Sequence, residues 1–263
     1  MSSQFKTLIH PTALIETGAE LGVGVEVGPY CIIGAEAKIG DRTKLSSHVV
    51  VSGRTQIGSD NVFHSFCVVG GPPQDVSYAG DPTELRIGDH NVVRESCTFN
   101  RGTVKDRALT TVGNHNYLMA YCHVGHDSDV HNHVIMANQV QLAGHVRVDD
   151  YANIGGITGI TQRARIGAYA FVGANSVIRR DLPPFMCAKE FSQVTGPNIV
   201  GLKRNGMSED EVRVAMDIYK IVYLGNLTTD KAVAEIESQF LPKSLVAKMF
   251  VDFVKATKIG IQR

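Results

Sequence analysis

The stretch VEVGPYCIIGAEAKIGDRTKLSSHVVVSG, Val25–Gly53, places an aliphatic residue at every sixth position: Val27, Ile33, Ile39, Leu45 and Val51. The row extends back through Ile9, Ile15 and Leu21 and forward through Ile57, Phe63 and Val69. It breaks at GGPPQDVSYAGDPTEL, resumes at Ile87, Val93 and Phe99, breaks again at KDRALTT, and then runs from Val112 to Ile178. A helix of 3.6 residues per turn cannot hold a six-residue row on one face, and a flat sheet needs a period of two. Short strands joined by tight corners do hold it. Each hexapeptide forms one side of a three-sided coil, its apolar residue inward, with small residues such as the glycines of Val27-Gly28 and Ile33-Gly34 easing the corners. The repeats predict a parallel β-helix.

The row stops near Pro183-Pro184. Ser208 and Glu211 then stand in capping-box spacing, ahead of Val212, Ala215, Ile218 and Val222 at helical spacing, with Gly225 as the stop. TTDKAVAEIESQF and SLVAKMFVDFVKA read as two further amphipathic helices. The expected division is a β-helix over residues 1–186 and a linker plus helical domain over 187–263 that caps the last coil. The two breaks in the row are loops projecting from a rigid scaffold, a common place for functional residues. The first carries Gln74, Asp75 and Tyr78.

Lys plus Arg and Asp plus Glu both total 26, a balance that speaks against nucleic-acid binding. No apolar run reaches the roughly 18 residues of a membrane span, and the amino terminus lacks the pattern of a signal peptide. Five cysteines without paired spacing suit reduced thiols in a cytoplasmic protein.

Chemistry concentrates in HVGHDSDVHNHV, His123–Val134. With Val124 and Val130 inward, His126 and His131 fall at different corners of the prism. A corner histidine is commonly a solvated turn residue. As a general base, His126 needs an orienting acceptor, which Asp127 offers. As a zinc site, the His126–His131 spacing resembles that of hexapeptide carbonic anhydrases and needs a third ligand. His90 is the candidate, but the KDRALTT insertion shifts the coil phase between them.

HPTA, PQDVSYAGDPTELRIGDHNVVRE, NRGTV, HVGHD, LAGHV, NIVGLKRNG, YKIVYLG and GIQR occur in one order along the chain. Together they resemble the acyl-(acyl carrier protein)–UDP-N-acetylglucosamine O-acyltransferases of lipid A biosynthesis, over essentially the whole length. The resemblance implies an all-β left-handed parallel β-helix of hexapeptide repeats with a C-terminal α-helical domain, and a homotrimer with active sites between subunits. It implies transfer of a 3-hydroxyacyl chain from acyl carrier protein to the 3-position of a UDP-sugar, without metal or other cofactor. His126 matches the general base, Asp127 its helper and Gly144 an amide donor to the oxyanion. Gln74, Asp75, His123, His145, Gln162, Asn198 and Arg204 match substrate-binding positions. Phe171 and Ala174 lie where acyl length is measured, and the bulk of Phe171 predicts a shorter chain. Arg179, Arg180, Lys203 and Arg204 are available to the acidic carrier protein.

Several positions depart from the family pattern. Ser77 stands where lysine is usual, Asn100 and Thr161 where histidine is usual, and Val200 and Asn205 where an acid and a second arginine are usual. AKEFSQVTGPN lacks the expected Gly-Asn pair. These departures keep open three alternatives: a paralogue acylating a different or 3-amino UDP-sugar, a metal-dependent hexapeptide lyase, and a non-catalytic trimeric binding protein.

Overall fold

The computed structural model describes residues 6–189, 192–241 and 243–263. Strands of mostly two residues, beginning with Leu8–Ile9, Leu14–Ile15 and Glu20–Leu21, assign themselves in rotation to three sheets of 11, 9 and 8 strands. We call these sheets I, II and III. All pairings are parallel except that of the last two strands of sheet I, Met186–Lys189 and Gln193–Pro197. The result is the left-handed parallel β-helix expected. Neighbouring coils are offset by 18 residues, as in Leu8↔Glu26, so residues 18 apart stack directly. Across the first loop the offset is 30, Val62↔Val92, and across the second it is 25, Thr98↔His123. The loops therefore lengthen two coils without disturbing the register on either side.

The six-residue row fills the prism. Ile33, Val51, Phe63, Val69, Val124, Leu142 and Ile160 are all buried, each contributing roughly 1.5–3 kcal/mol by leaving water. The first coil, which no earlier coil covers, is the exception: Ile9 is about half exposed (48%) and Ile15 and Leu21 are half-buried. The glycines after the inward residues act differently from expectation. Gly28, Gly40 and Gly58 are not in the left-handed region. A Cβ on Gly28 would lie 2.8 Å from Ser46 C, and one on Gly40 2.7 Å from Gly58 O. Their role is close approach of stacked coils. The left-handed corner positions are held mainly by larger residues, among them His90, His115, His133, Tyr151 and Tyr169. Their rings stack at 4.6–5.0 Å, and each N–H donates to the coil before, as His115 does to Asp89 O at 3.0 Å.

The helical region comprises α1 (Ile199–Arg204), α2 (Glu209–Tyr219), α3 (Thr229–Phe240) and α4 (Leu245–Lys255), with a π turn over Lys220–Leu224 continuing α2. The sequence pattern missed α1, which is too short to show a period. The capping box is half formed. Ser208 Oγ accepts from the Glu211 N–H at 3.2 Å, but the Glu211 carboxylate turns away to accept from Leu245 N and Val246 N at the start of α4. It thus ties two helices together instead of closing its own. The region caps the β-helix: Arg165 lies 4.0 Å over the Phe253 ring, and the buried Asp181 carboxylate accepts from Arg165 N and Thr257 Oγ1. Burial pushes the Asp181 carboxyl up. The expected boundary after residue 186 falls inside the strand Met186–Lys189, and sheet I continues to Pro197. Glu190 and Phe191, part of AKEFSQVTGPN, lie outside the described residues.

Candidate active site

Both long loops, 72–83 and 101–108, leave the prism at the corner between sheets II and III. The next coil turns the same corner through Gly125–Ser128, and the one after through Ala143–Val146. The repeat phase therefore stacks both loops and the His126 turn along one edge. There they border a cavity of about 700 Å³ whose lining includes Asp75, Asn100, His123, His126, Gly144 and Gln162.

His126 is buried to within 8% of its surface and Asp127 to within 3%. Although adjacent in sequence, the two side chains face each other because Asp127 takes a left-handed corner conformation (φ 58°). The Asp127 N–H donates to Thr110 Oγ1 at 2.8 Å, helping to hold that conformation. His126 Nδ1–H donates to Asp127 Oδ2 at 2.9 Å. Thr103 completes the carboxylate's shell: its N–H donates to Oδ1 at 2.9 Å and its hydroxyl to Oδ2 at 2.7 Å. An ionised carboxylate only accepts, so it fixes Nδ1 as the protonated nitrogen and leaves Nε2 as the acceptor. Gly144 makes room for the ring; a Cβ there would sit 2.6 Å from His126 Nε2. Among the described residues the Gly144 N–H donates to no group.

His123 borders the cavity and shares a 2.7 Å hydrogen bond with Thr98 Oγ1. Burial, and secondarily the neighbouring His126, holds its pKa below the ordinary value. His145 lies directly beside His126. It is not part of the cavity wall but packs edge-on behind His126, with ring centroids 5.1 Å apart. Its Nδ1 donates to Asp106 Oδ2 at 2.7 Å. The second loop thus reaches three site residues: Thr103 holds Asp127, Asp106 holds His145, and Lys105 Nζ donates to both oxygens of Asp75 at 2.8 and 3.1 Å. Asp75 also accepts from the Ser77 N–H and hydroxyl. Lys105, then the Ser77 donors, hold its carboxyl well below the usual range. The lysine absent at Ser77 is matched by an ammonium arriving from the other loop.

Sequence reasoning missed Thr103, Lys105 and Asp106, which lie in a break where no period reveals side-chain direction. The available signal was phase: the break follows inward Phe99 at the same corner where His126 follows inward Val124.

Gln74 also borders the His126 cavity, whereas four expected residues, Phe171, Ala174, Asn198 and Arg204, lie elsewhere in the chain. Phe171, Asn198 and Arg204 line a second cavity of about 650 Å³ between sheet I and α1, together with Val200 and Asn205. Asn198 caps α1, its Oδ1 accepting from Gly201 N and its Nδ2 donating to Tyr169 O. Ala174 is on an exposed turn bordering neither cavity. Gln162, Thr161 and Asn100 are with His126. His131 is not a plain turn: it pairs with Asp129 at 3.3 Å on another face, while His90 stacks on His115. The zinc arrangement of His126, His131 and His90 is therefore not assembled. His126, Asp127 and His145 offer ligand atoms within 4.8 Å of one another, but Nδ1 of His126 and the Asp127 oxygens are engaged in the hydrogen bonds above. Of the basic residues offered to a carrier protein, Lys203 pairs with Glu209 at 2.8 Å.

Comparison with known proteins places this geometry. A sequence profile described as UDP N-acetylglucosamine O-acyltransferase, domain 2, matches residues 181–262. An acyl-(acyl carrier protein)–UDP-N-acetylglucosamine O-acyltransferase of Verminephrobacter eiseniae (strain EF01-2) is 47% identical over 259 residues, 97% of this chain and 99% of its own. The chain belongs to this O-acyltransferase family. A second member of the family, from Stutzerimonas stutzeri (strain A1501), is 45% identical over 98% of this chain and 100% of its own. The solved structure of LpxA from Acinetobacter baumannii matches with a TM-score of 0.95 at 41% identity, covering 97% of this chain and 100% of that one. An Arabidopsis UDP-N-acetylglucosamine acyltransferase matches at 0.85 and 30%. Membership in the family sets aside the metal-lyase alternative. Among the described residues no helix is long and apolar enough to cross a membrane.

Proposed function

We propose that this chain transfers a 3-hydroxyacyl group from acyl carrier protein to the 3-hydroxyl of UDP-N-acetylglucosamine, the reaction with which lipid A biosynthesis begins. The observation that carries the reading is the chain Thr103–Asp127–His126 opening onto a cavity, in a member of a family named for this O-acylation. His126 Nε2 accepts the sugar hydroxyl proton as the oxygen attacks the thioester carbonyl. Asp127, fixed by Thr103, orients the ring and balances the imidazolium that forms. The Gly144 N–H is free to donate to the oxyanion. Collapse breaks the carbon–sulfur bond, and the departing thiolate takes the proton back from His126. Relatives 44–47% identical, all named as O-acyltransferases, favour the hydroxyl acceptor over an amino sugar.

A homotrimer fits the surface. Outward residues of sheet III are largely charged, with Glu20, Lys38, Arg86, Asp129, Arg147 and Arg165 in register. Sheet II instead presents Leu14, Ile32 and Val68, and the corner between sheets I and II presents Tyr30, Phe66 and Tyr121, all exposed. An apolar side of this kind marks an interface. The His126 cavity and the Asn198–Arg204 cavity are separate in one chain. A cyclic arrangement setting sheet II of one copy against sheet I of the next would join them.

The test is transfer from 3-hydroxyacyl carrier proteins to UDP-N-acetylglucosamine by the purified protein. Turnover that falls by at least about 10² in His126→Ala is expected. Full activity in that variant, or none in the wild type, would overturn the proposal.

A further inference from the structure

Among the described residues of one chain, the cavity beside His126 is lined by two histidines and one carboxylate and by no lysine or arginine. Both substrates of the proposed reaction are anionic. UDP-N-acetylglucosamine carries a diphosphate, and acyl carrier protein presents its thioester on a phosphopantetheine arm. One cation stands at the rim. Lys105 is held by Asp75, and the pair clasps two loops that leave successive coils.

We propose that Lys105 is a phosphate-binding residue on the His126 side of this cleft, an inference that rests on the function proposed above. Three features of the pair suit that role. The Asp75 side chain is 15% exposed and belongs to the cavity wall, whereas Lys105 is 56% exposed and faces solvent. The ammonium has three N–H donors, and two are aimed at Asp75 oxygens. The third is available to a phosphate oxygen without breaking the pair. Asp75 is itself fixed by the Ser77 N–H and hydroxyl, so the ammonium is aimed from a rigid base despite its flexible stem. Arg101, the nearby alternative, is engaged elsewhere: its guanidinium donates to Gly70 O and Tyr78 Oη beneath the first loop.

The phosphate could be that of the sugar nucleotide or that of the carrier arm, and binding separates them. Wild type, Lys105→Gln and Lys105→Arg would be titrated calorimetrically with UDP-N-acetylglucosamine, with 4′-phosphopantetheine and with pantetheine, which lacks the phosphate. The expected result is a loss of about tenfold in affinity for one of the two phosphate ligands in Lys105→Gln. Lys105→Arg retains most of it, and pantetheine is unaffected. In the transfer assay the KM of the same substrate rises while kcat stays within about twofold, a split that a loosened loop would not give. Affinities for both phosphate ligands unchanged within about twofold, or an equal loss for pantetheine, would overturn the assignment. Binding is read without turnover, so failure of the transfer assay in wild type would sink the proposed function while the titrations still decide Lys105.

Discussion

Gly144→Ala separates the geometry of the general base from the stability of the coil. The added Cβ would lie 2.6 Å from His126 Nε2 and 3.1 Å from Nδ1. Ordinary contact begins at 3.4 Å and the ring's Cε1 is nearer still, so the ring must retreat by at least 0.8 Å, the difference between 3.4 and 2.6 Å. Its Nδ1 is tied to Asp127, whose carboxylate Thr103 fixes, so the retreat stretches or breaks the 2.9 Å hydrogen bond. A misplacement of about 1 Å costs on the order of 10² in rate, or about 2.7 kcal/mol of barrier. The backbone N–H survives the substitution, so the oxyanion donor is not what is lost. The obstructing atoms belong to a side chain, and the fold should survive. Gly125→Ala is the contrast: its Cβ would meet Leu142 O at 2.7 Å and Ala143 C at 2.8 Å, both backbone atoms of the next coil. We expect Gly144→Ala to lose about 10² in kcat with a nearly unchanged Tm, and Gly125→Ala to lower Tm. Activity within about threefold of wild type in Gly144→Ala would refute the placement of His126.

Thr103→Val removes one of the two bonds that Thr103 donates to a fully buried carboxylate. It should cost about 1.5–3 kcal/mol in urea unfolding and about tenfold in kcat; two unchanged values would remove Thr103 from the site. Phe171 narrows the cavity beside α1, so wild type should favour donors shorter than C14, and Phe171→Ala should move the optimum upward across a C10–C14 series. A clear wild-type preference for C14 would overturn this. The Asp129–His131 pair makes stability depend on pH. Its hydrogen bond to Asp129 raises the His131 pKa above the ordinary 6.5, so that contribution is present below 6.5 and lost as pH rises through the folded value. The same bond lowers Asp129 below the ordinary 3.8, so its contribution is present above 3.8 and lost as pH falls. The Tm gap between wild type and His131→Gln should be widest between about pH 4 and 6.5 and close at higher pH; a gap that widens with pH would contradict the pairing.

The fold was legible because one physical requirement, an inward apolar residue every sixth position, recurs at nearly every coil and tolerates few exceptions. What the period could not convey is how corners are stabilised. Positions such as His115 and Tyr151 accept left-handed backbone at a cost, offset by ring stacking and by N–H bonds to the previous coil, neither of which leaves a mark in a hydropathy pattern. His126 and Asp127 were legible as one candidate pair among several, and only the family resemblance singled them out, since adjacent residues usually point apart. It takes the positive φ of Asp127 to bring them together. Asn198 shows the opposite limit. The family resemblance alone offered it as a substrate contact, and its amide caps α1 and donates to Tyr169 O, a local role that no pattern announced.

The same logic accounts for where the site is. A stacked coil contacts only its neighbours, so a corner can carry an inserted loop while the sheets on either side keep their register. Two insertions at the same corner in consecutive coils stack above one another and beneath the turn that follows. The first brings Asp75, the second brings Thr103, Lys105 and Asp106, and the unlengthened turn brings His126 and Asp127. Had the second insertion fallen six residues later, it would have left the prism at a different corner, and Thr103 could not have reached Asp127. Phase, more than the chemistry of any one motif, is what assembles this site, and it can be counted from the sequence once the inward row is known.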